Sequence, residues 1–149
     1  MLSQFFRPGS ILYREGVAGW QEAVDAVTLP LIGLGTIRPT YVQAIKDSIA
    51  GPGGTYIDLG SGIALAHARP ENGVVDTSLS VLHVASPFLL ADQKDHAIST
   101  IFCLAAKDAT THIDLMRSLA NFLGNEADQR KLAAVSNEEQ LIQIFADHE

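Results

Sequence analysis

Apolar residues recur at Trp20, Ala23, Val24, Val27 and Leu31, while Gln21, Glu22 and Asp25 occupy another face. This spacing predicts an amphipathic helix from Gly19 to Leu34. A second helix opens at Pro39, where a first turn tolerates the missing N–H. Tyr41, Val42, Ile45 and Ile49 mark its inner face, and the cluster Gly51-Pro52-Gly53-Gly54 stops it. The period then shortens. Tyr56, Ile57 and Leu59, the run Ile63-Ala64-Leu65, and the alternating Leu79, Val81 and His83 predict three short strands punctuated by glycine. From Ala97 to Ala106 the chain is almost continuously apolar, the pattern of a strand covered on both faces. Helical spacing returns in Ile113, Leu115, Met116, Leu119, Phe122 and Leu123, with Gly124 placed for a left-handed cap. Asn137, followed by Glu138, Glu139 and Gln140, resembles a capping box that opens a last helix through Leu141, Ile142, Ile144 and Phe145. Helices thus bracket a block of strands, and the economical fold is a single layered α/β/α domain with a central mixed sheet.

That architecture needs a core, and 149 residues at 47% hydrophobic and 18% charged supply one. The whole of 1–149 reads as one domain, with about 1–18 as an N-terminal extension and a core at about 19–147. A formal charge of -7 disfavours nucleic acid and anionic lipid as partners. Cys103 is the one cysteine, so no internal disulfide or multi-cysteine metal site can form. Neither an export signal nor a membrane-spanning run is visible, since the apolar stretch Thr28 to Gly35 is short and interrupted by Pro30. A cytoplasmic protein without direct membrane insertion is expected. Oligomeric state stays open, a homodimer included.

The segment Gly60-Ser61-Gly62-Ile63-Ala64-Leu65-Ala66-His67-Ala68-Arg69-Pro70 carries the most chemistry. An apolar strand delivers His67 and Arg69 two residues apart, on one face if the strand continues. An imidazole with an ordinary pKa of about 6.5 is largely a free nucleophile at neutral pH. A phosphoryl group in transfer needs in-line positioning and cationic or hydrogen-bonding cover for its oxygens. Arg69, His112 and neighbouring N–H groups are candidates for that cover, and the Ser61 hydroxyl is a lesser one. Neither nucleotide-binding glycine pattern is present. His83 and His96 read as structural, His148 as part of a frayed tail, and Cys103 as a buried small hydrophobe.

The stretch Gly62 to Val74 resembles the active-site segment of enzyme IIA domains of the bacterial sugar phosphotransferase system, in the mannitol/fructose-type group and nearest its ascorbate branch. A second match, Ala105-Ala106-Lys107-Asp108 through His112-Ile113 to Leu119, is similar to the family segment that carries a second active-site histidine at a helix start. The resemblance extends from about Trp20 to about Leu141. It implies that His67 accepts phosphate from the phosphocarrier HPr as a tele-phosphohistidine and passes it to a cysteine of enzyme IIB, which serves a membrane enzyme IIC. It also implies that His112 helps hold the group, and that neither cofactor nor metal takes part. Two departures stand out. Ala66 occupies the place of the usual proline before the histidine, and Ser48 matches a position where mannitol-type members carry arginine, leaving Arg69 as the cation. Sugar uptake, with an ascorbate-like sugar acid, is the expected role. A regulatory protein of the same fold, controlled by its phosphorylation state, is the alternative. A hydrolytic metal site from His67, His112 and Asp58 is a third reading, without any recognisable ligand spacing.

Overall fold

The computed structural model describes residues 2–148; Met1 and Glu149, which the single-domain reading includes, lie outside them. The elements run β1 (Phe6–Arg14), α1 (Trp20–Gly33), α2 (Pro39–Ala50), β2 (Asp58–Gly60), β3 (Ile63–Ala66), β4 (Ser78–Leu89), β5 (Ala97–Ala105), α3 (Ala109–Leu123), α4 (Glu126–Ala133) and α5 (Glu138–His148). The five strands form one mixed sheet in the order β1-β4-β5-β3-β2. β5 lies at its centre, antiparallel to β4 and parallel to β3. Central placement explains the apolar run from Ile101 to Ala106, because such a strand must meet apolar layers on both sides.

Alternate residues of that strand serve two cores. Ile101, Cys103 and Ala105 face α1 and α2, where Val24, Val27, Leu31, Tyr41 and Ile45 close the layer. Phe102 and Leu104 face α3, α4 and α5, through Leu115, Leu119, Phe122, Leu132 and Phe145. The Phe145 ring lies 4.8 Å from Phe6, 4.9 Å from Phe122 and 6.0 Å from Phe102. Each such ring pair contributes about 1 kcal/mol beyond its buried area. The layered α/β/α architecture expected from the pattern is the one observed. No helix among the described residues is long and apolar enough to cross a membrane.

Four local expectations are corrected. Residues assigned to an N-terminal extension instead build β1, which runs parallel to β4, and place Leu2 and Phe5 in the core. Tyr56 and Ile57 form a 3-10 turn ahead of β2 rather than a strand. Gly124 ends α3 in the right-handed region, at φ -78° and ψ -7°, because the chain turns at once into α4. Asn125 caps that helix, its side chain accepting from the Asp128 N–H at 3.1 Å. Finally, His148 is no frayed residue: its Nδ1 lies 2.8 Å from Asp128 Oδ2 and its ring meets the edge of Phe122.

His83 illustrates what burial does to a titratable group. It lies on β4 with Nδ1 2.8 Å from Thr100 Oγ1 and its ring stacked on Tyr13 at 5.9 Å. Burial lowers its pKa below the ordinary value, favouring the neutral ring. The unfolded chain therefore binds a proton more readily than the folded one, so this contribution to stability is complete above about pH 6.5 and declines as pH falls below it. Urea unfolding at pH 7.5 and 5.5 should give a smaller loss of stability on acidification for His83→Gln than for the unaltered chain. Parallel losses would refute this assignment.

Candidate active site

β3 is a short, fully buried strand held between β2 and β5. Ala66, its last residue, registers with Cys103, and the chain leaves the sheet immediately afterwards. His67 is therefore set at the sheet's end, half-buried, at the wall of a crevice of about 430 Å³. Its Nδ1 lies 2.9 Å from the Leu65 carbonyl oxygen. A carbonyl can only accept, so Nδ1 carries the proton and Nε2 keeps the lone pair. Tyr56 presents its ring edge-on to the imidazole at 5.8 Å and 84°.

The segment beyond the histidine is fixed from α2. The Ala68 N–H donates to the Tyr41 hydroxyl at 3.1 Å, and that hydroxyl donates to the Leu104 carbonyl at 2.6 Å. Burial holds the Tyr41 phenol well above its ordinary pKa, so it remains a protonated donor. Arg69 follows in extended conformation, and Pro70 to Asn72 form a turn. Thr40 Oγ1 donates to the Asn72 carbonyl at 2.7 Å, and the Arg38 N–H to the Gly73 carbonyl at 2.8 Å. Gly73 has φ 139°, and a Cβ there would stand 2.7 Å from Thr40 Oγ1 and 3.1 Å from the Tyr41 nitrogen. Only glycine lets the turn approach α2 this closely.

His112 arrives from the other side, in the first turn of α3. Asp108 caps that helix, Oδ1 accepting from the Thr111 N–H at 2.8 Å and from its hydroxyl at 3.0 Å. These bonds hold the Asp108 carboxyl below its usual range. Lys107 N–H donates to Thr77 Oγ1 at 3.2 Å, which in turn lies 3.2 Å from Thr111 Oγ1 and anchors the helix start to β4. The positive end of the backbone dipole at this helix start favours a nearby anion.

His67, Arg69 and His112, far apart in sequence, line one crevice. Ser48, at the position where an arginine was expected from the resemblance, lines it as well, together with Ala44 and Asn72. Ser61 does not join them. It sits in the turn before β3, at φ 57°, and borders a separate cavity with Ser99, Thr100 and Arg130. β3 lies between that cavity and His67, so Ser61 cannot reach a group on the imidazole. Asp58 is likewise engaged elsewhere, its Oδ2 2.7 Å from His96 Nδ1. Among the described residues no three His, Cys, Asp or Glu side chains are grouped as a metal site. Tyr41, Tyr56 and Asn72 were not singled out from the sequence as site residues; Tyr41 was read there as an apolar helix position, Tyr56 as a strand position, and Asn72 only as part of the stretch Gly62 to Val74.

The model of the phosphoenolpyruvate-dependent sugar phosphotransferase system EIIA 2 family matches residues 4–148. The mannitol-specific cryptic phosphotransferase enzyme IIA component of Escherichia coli (strain K12) is 35% identical over 145 residues, covering 97% of this chain and 97% of its own. The ascorbate-specific PTS system EIIA component of the same strain is 29% identical over 127 residues, covering 85% and 82%. Among solved structures, the solution structure of the mannitol-specific cryptic enzyme IIA from Escherichia coli superimposes with a TM-score of 0.91 at 34% identity, over 98% of each chain. The fold is also that of enzyme IIA in a complex with phosphorylated enzyme IIB of the Escherichia coli mannitol system, at a TM-score of 0.75 and 22% identity, over 93% of this chain and 96% of that one.

Proposed function

The chain belongs to the EIIA 2 family of the phosphoenolpyruvate-dependent sugar phosphotransferase system, a family of phosphoryl carriers, and from that premise we propose that His67 carries the group on Nε2. The observation that supports this most is the Nδ1 contact to the Leu65 carbonyl in a crevice shared with His112 and Arg69. In the proposed transfer the Nε2 lone pair attacks the phosphorus of a phosphohistidine on HPr. The Nε2–P bond forms as the donor's N–P bond breaks, and the donor imidazole recovers its electron pair. His67 becomes an imidazolium whose Nδ1 proton is retained, its charge shared with the Leu65 carbonyl. No proton needs to move. Arg69 and His112 cover the phosphoryl oxygens, where charge spreads as the group passes between nitrogens.

Discharge reverses the sequence. A thiolate on a cognate enzyme IIB attacks the phosphorus, an S–P bond forms, the Nε2–P bond breaks, and His67 returns to the neutral Nδ1–H tautomer. Relatives of mannitol type match at 35% and of ascorbate type at 29%, so the ascorbate-like sugar acid expected from the sequence is tested beside mannitol by offering the phosphorylated chain to IIB partners of both systems. The decisive test uses the unaltered protein with phosphoenolpyruvate, enzyme I and HPr. It should gain one acid-labile phosphoryl group, with nitrogen and phosphorus NMR placing it on Nε2 of His67. No uptake, or a group on another residue, sinks the proposal.

A further inference from the structure

We propose that the Tyr41 hydroxyl is a positioning group for phosphoryl transfer: a single oxygen ties the segment bearing His67 to the strand that launches the helix bearing His112. This rests on the reading of His67 as the carrier. The hydroxyl accepts from the Ala68 N–H at 3.1 Å and donates to the Leu104 carbonyl at 2.6 Å. The Ala68 carbonyl, at 3.3 Å, is the weaker alternative for the one hydroxyl proton. The two bonds span 27 and 63 residues of sequence, and they carry the link between the two segments past the end of the β3–β5 ladder, whose last registered pair is Ala66 with Cys103.

What lies beside each partner gives the bond its consequence. Ala68 is flanked by His67 and Arg69. Leu104 stands one residue before the end of β5, and Ala106 and Lys107 lead from there to Asp108, the cap of α3. Tyr41 is itself wholly buried, and Ala44 and Ser48, farther along the same face of α2, form part of the crevice wall. The phenol is thus braced by the core on one side while its hydroxyl sets the spacing of the two imidazoles on the other. A side chain that only filled volume would need no hydroxyl, and phenylalanine would serve as well.

Tyr41→Phe separates these roles, because the ring is kept and only the oxygen is lost. With the Ala68 N–H released, His67 gains freedom about the segment that holds it, and small misplacements of a nucleophile cost large factors in rate. The expected result is a fall of about tenfold in kcat for transfer from phospho-HPr, with KM for that donor unchanged. The nitrogen resonances of the His67 ring should shift from the pure Nδ1–H tautomer toward a mixture. Transfer at the unaltered rate would overturn the inference. So would slower transfer with His67 resonances unchanged, since that marks a structural effect alone. If the variant does not fold, the unaltered protein decides: a nuclear Overhauser contact from the Ala68 amide to the Tyr41 hydroxyl supports the tether, and its absence overturns it. A phosphoryl group mapped away from His67 in the unaltered protein would instead remove the carrier reading, and this inference with it.

Discussion

His67→Ala is expected to take up no phosphoryl group at all from phosphoenolpyruvate, enzyme I and HPr, while folding as the unaltered chain does. The other candidate nucleophiles are unsuited to replace it. His96 and His148 have Nδ1 engaged by Asp58 and Asp128, away from the crevice. His83 is buried against Thr100. Cys103 is fully buried and its thiol is pushed up to about 12 by that burial, so it offers neither access nor thiolate. His112 lines the crevice from the helix start, and in the proposed transfer it covers the group rather than receiving it. The fold should tolerate the change because the His67 side chain makes one hydrogen bond, to the carbonyl two residues before it, and one ring contact with exposed Tyr56. Losing these costs about 1 kcal/mol. Intact-mass measurement and thermal unfolding of the two proteins check both halves, and retention of the phosphoryl group by the variant would defeat the assignment.

How much of this was legible in the sequence depended on whether the signal was local. α1 was read from its own spacing, and so was α5, whose Asn137 side chain accepts from the Gln140 N–H at 2.8 Å. β5 declared itself because a strand buried on both faces is apolar at nearly every position, with Ser99 and Thr100 as its two polar residues. β1 gave no such sign. Pro8 and Gly9 interrupt its alternation, and its pairing with β4 passes through a register shift between Phe6 and Ile11. An edge strand tolerates such residues since its outer side needs no donors, and its partner lies about seventy residues away. α4 was missed for a different reason: Asp128 and Leu132 are its only buried residues, too few to make a stripe.

The site shows the same division. His67, Arg69 and His112 were recognisable as residue types in matched segments, and the fold brings them to one crevice. Ser61 misled because nearness in sequence is not nearness across a strand: it precedes β3 and His67 follows it, so the length of the extended chain separates them. Tyr41 was read only as a core position, correctly as far as its ring goes. Its hydroxyl acts across 63 residues, and no periodicity along one helix can encode such a bond.

His112→Ala should slow phosphoryl transfer from HPr by about a hundredfold without lowering the final occupancy of His67. The size follows from removing one donor aimed at developing charge, which costs 10² to 10³ in comparable preorganised sites. Occupancy is preserved because the bond to Nε2 and the donor's free energy are untouched; the residue covers oxygens and does not hold the phosphorus. The helix itself should persist, since its cap is Asp108 with Thr111 and its inner face is Leu115, Leu119 and Phe122. Arg69, on the same crevice wall, and the positive end of the helix dipole therefore remain beside the group, and a residual rate well above zero is expected. Rapid-quench kinetics at saturating phospho-HPr would measure the drop, and a titration of donor would separate it from weaker docking. A variant as fast as the unaltered chain would mean that the imidazole contributes nothing to the transition state. A loss confined to KM would move His112 from the chemistry to the docking surface.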